Sequence, residues 1–242
     1  MSRLSKQILY GLLYLVILFF VVSVAYKIVL APSPAANPAV TVRLPAASNA
    51  DALRVSRGPE VLGMQSGKAV VLFEVANPSA DYHKHFSYAL SVYGVSGYVI
   101  ESVSGNGRVL ASQKEYIVDN GITTLVSDIS RVAVSFSNIT TEAAKDVILP
   151  NITLSREPMT IVENDAIKVT GYIRNESSLA AGTTKLVAIL RNAFGDDVFA
   201  SKTIIGNLAP FEERTFVILF PRDSGILKEA DATSTQVFVY EE

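Results

Sequence analysis

The hydrophobic pattern divides the chain into two regimes. From Gln7 to Tyr26 there are twenty residues without a charge, thirteen of them Leu, Ile, Val or Phe, distributed all the way round a helix. A helix on a soluble core would keep one polar face, so this segment is built to be surrounded by apolar material. At about 1.5 Å per residue, twenty residues cross the roughly 30 Å hydrocarbon layer of a bilayer, and we expect a transmembrane α-helix over residues 7–29. Beyond Leu53 the pattern changes to short β-type runs separated by turn residues. Residues 69–76, 86–93, 98–103 and 131–137 read as strands, the first ended by Asn77-Pro78-Ser79 and the middle pair joined through Gly94 and Gly97. Asn106-Gly107 and Asn120-Gly121 predict further reversals, because both dipeptides tolerate positive φ. Residues 140–146 are the one helical candidate after the anchor, about two turns long. Later, residues 152–156, 166–174, 184–191, 198–205, 214–220 and 236–240 read as strands. Within them Ile167, Val169, Gly171 and Ile173 share a core face, while Lys168, Thr170, Tyr172 and Arg174 share a solvated one. Short strands without long helical periods predict antiparallel sandwiches.

The second regime repeats itself. Ser155, Arg156 and Pro158 follow Ser56, Arg57 and Pro59 at a separation of 99 residues, and Asn175 and Gly195 follow Asn77 and Gly97 at 98. Leu208-Ala209 aligns with Leu110-Ala111 at the same spacing of 98. We therefore expect an all-β body of two tandem antiparallel β-sandwiches, residues 53–150 and 151–242, each large enough to bury a core. Residues 30–52, with Pro32, Pro34, Pro38 and Pro45, read as a Pro/Ala-rich stalk of up to roughly 65 Å in polyproline II conformation.

Charge sets the orientation. Arg3 and Lys6 precede the span and Lys27 alone follows it, which predicts a cytoplasmic N-terminus (residues 1–6) and an extracytoplasmic body. Ser23 and Ala25 also fit a signal-peptidase site, although the apolar stretch is long for a cleaved signal. The remaining 18 basic and 23 acidic groups leave the body mildly acidic, without the clustered Lys and Arg that nucleic-acid binding requires. There is no Cys, so disulfides, thiolate catalysis and cysteine metal sites are excluded together.

Gly171-Tyr172-Ile173-Arg174-Asn175-Glu176-Ser177, the Phe194-Gly195-Asp196 turn and Leu208-Ala209-Pro210 resemble the FxLYD-type extracytoplasmic β-sandwich domain. Asn77-Pro78-Ser79 with Val92-Tyr93-Gly94 is similar to the Asn-Pro pattern of late-embryogenesis-abundant type 2 domains. Phe211 stands where the first family has Gly, and Asn192-Ala193-Phe194 replaces its Leu-Tyr-Asp. The resemblance implies an immunoglobulin-like fold in an exported, often anchored setting, and brings no catalytic residues.

Candidate chemistry is sparse. His83 and His85, the only histidines, form a His-Lys-His run in an expected loop, with Asp81 close in sequence but no evident third ligand. Asp196-Asp197, Glu212-Glu213 and Glu241-Glu242 are adjacent pairs, which point to opposite faces of a strand and do not share a cleft. Gly105-Asn106-Gly107 lacks the Lys-Ser/Thr of a phosphate loop, and no serine lies in a nucleophile elbow. Asn138, Asn151 and Asn175 head Asn-x-Ser/Thr sequons, and Tyr82, Tyr88, Tyr98 and Tyr116 are aromatic candidates for a binding face. We assign no catalytic, cofactor or metal residues. The expected role is non-enzymatic, in protein binding or envelope organisation, with the bilayer contacted through residues 7–29. The alternative is an accessory subunit assembled into a larger membrane complex through that helix.

Overall fold

Alternating and continuous runs of Val, Ile, Leu, Phe and Tyr dominate the body, and such residues fit a pleated, half-buried surface. In the computed structural model they form thirteen antiparallel strands among the described residues, which are 51–63, 67–163, 166–220 and 230–241. The expected N-terminal segment (1–6), anchor (7–29) and all but the last two residues of the stalk (30–52) lie outside those residues. Among the described residues no helix is long and apolar enough to cross a membrane.

The first half contributes β1 (Arg54–Leu62), β2 (Val70–Ala76), β3 (Tyr82–Gly94), β4 (Val99–Val109), β5 (Lys114–Asp119) and β6 (Ile129–Ala143). They form two sheets in the orders β1-β2-β5 and β4-β3-β6. The second half contributes β7 (Ile152–Leu154), β8 (Met159–Glu163), β9 (Ala166–Asn175), β10 (Ala181–Arg191), β11 (Asp197–Leu208), β12 (Glu213–Leu219) and β13 (Asp231–Glu241). Its sheets run β12-β9-β7, with β8 also on β9, and β11-β10-β13. The same strand order thus occurs twice, and no ladder joins a strand of one half to a strand of the other.

Within the first half, Phe73 and Val75 of β2 and Ile117 of β5 pack against Leu90 and Val92 of β3 and Val134 of β6. A second core joins Ile173 of β9 and Ile218 of β12 to Leu186 and Leu190 of β10. That second core extends into the first half, because Leu62, Val70, Leu72, Tyr116 and Val118 belong to it as well. Sheet β1-β2-β5 is consequently buried on both faces: odd-numbered β2 residues face its own half, and Val70 and Leu72 face sheet β11-β10-β13. The four sheets stack face to face, and the described residues fall in one compact unit.

Three local expectations are corrected. Asn106-Gly107 lies in the middle of β4, paired with Ser87 and Phe86, and makes no reversal. Gly107 is there because a Cβ would sit 2.6 Å from the Phe86 ring. Residues 140–146 are the end of β6 and a three-residue 3-10 turn, Ala144–Asp146, not a two-turn helix. His83 and His85 lie in β3, not in a loop.

Candidate functional site at the junction of the halves

The clearest concentration of buried polar chemistry is where the halves meet. Alternation along β10 turns Lys185, Val187 and Ile189 toward the first half and Leu186, Ala188 and Leu190 into the second-half core. Lys185 Nζ donates to Glu115 at the head of β5, with both side chains nearly inaccessible to solvent. Paired with Lys185 across the ladder is Tyr240 of β13, whose hydroxyl accepts the Tyr116 amide at 3.0 Å. Burial pushes the Tyr240 phenol well above its ordinary pKa, so it stays protonated. The rings of Tyr116 and Phe238 meet at 4.8 Å beside it.

A second polar knot closes the β1 side. Asp197, whose side chain is fully buried, accepts from Arg57 of the first half and Arg191 of the second, each at 2.8 Å. Arg57 also donates to Glu60 at 3.0 Å and to the Tyr116 hydroxyl at 3.4 Å. Two cations around one carboxylate, with hydrogen bonds completing the geometry, satisfy the condition under which a buried charge is tolerated. A cavity of about 180 Å³ opens beside Glu115 and Tyr240 of the first cluster, lined also by Gln113, Lys114, Asn151 and Glu241. The groups are held by each other, and what this arrangement does chemically is bind one half to the other.

The sequence candidates fall in different places. His83 is buried, its Nδ1 accepting the Ala111 amide at 2.9 Å, while His85 is half-exposed with Nε2 3.5 Å from Glu142. Burial, with the nearby Arg108 guanidinium, holds the His83 imidazole below its ordinary pKa, consistent with an unprotonated Nδ1 acceptor. Asp81 does not join them, and among the described residues no three His, Asp or Glu side chains are grouped to hold a metal ion. Asp196 binds Asn192 in the β10–β11 turn while its neighbour Asp197 is buried, so that pair is divided between solvent and core. Glu212 pairs with Arg214 and Glu213 with Arg156; Glu242 lies outside the described residues.

Of the sequons, Asn138 and Asn151 are exposed, but Asn175 is fully buried. Its Nδ2 donates to the carbonyls of Leu179, Leu208 and Ala209, and Asn77 Nδ2 does the same to Tyr82, Val109 and Leu110. The equivalent of Leu208-Ala209 is therefore Val109-Leu110, one residue before the alignment expected from sequence. Tyr88 is buried with its hydroxyl 3.0 Å from Asp119, Tyr116 lies at the junction, and Tyr82 and Tyr98 are exposed. Reasoning from sequence did not single out Glu115, Lys185 or Arg191, and noted Arg57 only as a position of the repeat. The usable signal was a charged residue at the border of an unusually continuous apolar strand, as in Lys185 before Leu186–Leu190.

No family model matches this chain, and no curated protein matches it. Among solved structures, the crystal structure of red sea bream transglutaminase is similar over 70% of this chain and 27% of its own, with 13% identity and a TM-score of 0.22. A likeness of that size carries no argument about fold or activity.

Proposed function

We propose that this chain is a membrane-anchored extracytoplasmic protein with a non-enzymatic role in protein binding or envelope organisation. In this reading the anchor and stalk hold two immunoglobulin-like sandwiches of the FxLYD and late-embryogenesis-abundant type 2 kind, residues 53–150 and 151–242. The observation that carries it is the buried junction, which makes the two halves one body and fixes the directions in which their surfaces face. A body of this kind presents a surface at a set geometry. One such surface is the β3–β4 turn, where Val95 is 83% and Tyr98 77% exposed beside Val99, Ile100 and Leu125. Exposed apolar groups gathered in this way mark interaction sites more often than scattered ones.

Affinity capture with the anchored chain and with a version beginning at Asp51 tests the reading. Each is compared with its Val95→Ser plus Tyr98→Ser form. The same partner recovered by both lengths, and lost on the double substitution without loss of thermal stability, is the expected result. Partners that depend on the anchor and ignore the substitutions would instead favour the accessory-subunit role.

A further inference from the structure

The outer face of sheet β4-β3-β6 carries a groove whose chemistry nothing at the junction uses. It has a volume of about 350 Å³ and is lined by His85, Phe86, Ser87, Asn106, Arg108 and Asn138, together with Gly107. Its shape follows from an irregularity in β6. The ladder pairs His85 with Thr140 and Ser87 with Ser137, so Asn138 and Ile139 bulge out opposite Phe86, and Asn138 adopts φ +49°. Bulges of this type re-aim side chains beside functional sites.

The polar groups are ordered across the strands. Asn138 Nδ2 donates to Ser87 Oγ at 3.3 Å, and Ser87 Oγ donates to Asn106 Oδ1 at 2.9 Å. Among the described residues the Asn106 carbonyl is used, while the Asn106 amide hydrogens and the Asn138 carbonyl are left for other partners. At one end lies Arg108. Its side chain is only 13% exposed, yet among the described residues its one ion pair is a 3.4 Å contact from Nη2 to Glu142, and Nε has no hydrogen-bond partner there. A guanidinium presents five donors in a fixed fork, so one long contact leaves most of its capacity unused. Four titratable groups surround it. His85 shares Glu142, His83 packs close enough for Arg108 to disfavour its protonation, and Glu241 of β13 is reached electrostatically from the second half.

We propose that this groove binds an acidic sugar. Its carboxylate sits on Arg108 in place of Glu142, and its hydroxyls meet Asn106, Asn138 and Ser87. The volume is at the lower end for small-molecule sites, which suits one sugar ring. Groups offering donors at one end and mixed amide and hydroxyl chemistry along the rest match a ligand with one anionic end and several hydroxyls.

The test uses ligand-observed saturation-transfer NMR on the full chain in detergent, with sodium glucuronate, glucose and inorganic phosphate as probes. Glucuronate is expected to bind at least tenfold more tightly than glucose or phosphate, and Arg108→Gln to weaken it at least tenfold. Glu142→Gln distinguishes this site from a merely structural ion pair. It removes the internal competitor for Arg108 and is expected to tighten glucuronate binding severalfold, and it does not depend on the Arg108 variant folding. Equal binding of glucuronate and glucose, no binding of glucuronate, or weaker binding in Glu142→Gln would each overturn the proposal.

Discussion

Asn77 and Asn175 show how much one side chain settles in this fold. Each is buried at the end of the strand that forms the middle of its sheet, and each amide nitrogen, with its two hydrogens shared, donates to three backbone carbonyls from two separate parts of the chain. The carboxamide Oδ1 in turn accepts the amide of the residue two positions on, Ser79 or Ser177. The partner loops are also alike, since Ser112 and Phe211 occupy left-handed conformations at φ 58° and 59°. Such conformations are unusual outside Gly, Asn and Asp. Replacing either Asn with Ala leaves buried carbonyls without donors, at a cost of about 1–3 kcal/mol. Chemical denaturation of Asn175→Ala is expected to show that loss, and an unchanged midpoint would refute the assignment. The same burial removes Asn175 as a glycan acceptor, although its sequon is indistinguishable in sequence from the exposed one at Asn138.

At the scale of elements, what matters is how many faces of a strand are covered. Residues 167–174 alternate apolar and polar, and β9 accordingly has one buried face. The runs Val70–Phe73 and Leu186–Leu190 are continuous instead, and β2 and β10 are covered on both sides. Continuous runs of this length have that meaning. β4 is legible only with its neighbour in place. A Cβ on Gly105 would lie 2.4 Å from the Tyr88 ring, which is itself held by the hydrogen bond to Asp119. Gly105→Ala is therefore expected to destabilise the fold by about 1–3 kcal/mol, the usual range for overpacking. Adding Tyr88→Phe is not expected to restore the loss, because the ring carbon remains in the way. A thermal-shift series on the single and double variants checks both statements.

For the whole molecule, the decisive feature is that the same sheet face is used differently in the two halves. Lys185, Val187, Ile189 and Phe238 meet the first half, whereas the equivalent positions of sheet β4-β3-β6 are Ser87, Ala89, Ser91 and Ser135. The outer sheet of the second half is altered in the same sense, with Lys168 and Thr170 where the junction has Val70 and Leu72. Two small or polar outer faces explain why the stack of sheets in the described residues ends at four. The junction itself depends on its charges. Lys185→Met leaves the Glu115 carboxylate buried without that cation, and losses of about 3–5 kcal/mol are typical for such a break. Removing both charges with Glu115→Leu plus Lys185→Met is expected to recover most of the stability. Calorimetry on the single variant should also show separate transitions for the two halves, and one sharp transition at the original temperature would refute the role given to the pair.

The repeat, the β character and most strand positions were legible in the residues because they depend on local periodicity and turn chemistry. Asn175, Gly195 and the alternation of residues 167–174 carry that information within a few neighbours. Three strands escaped: β1 has no simple alternation around Gly58-Pro59, β8 is short and exposed, and β5 is only six residues long, its apolar run limited to Tyr116–Val118. The buried junction, the divided fates of Asp196 and Asp197, and the groove around Arg108 were not legible at all. Each joins residues 20 to 140 positions apart, and which charge is buried depends on what a distant sheet brings to cover it. Periodicity states that a strand has an apolar face; it does not name the surface against which that face is laid.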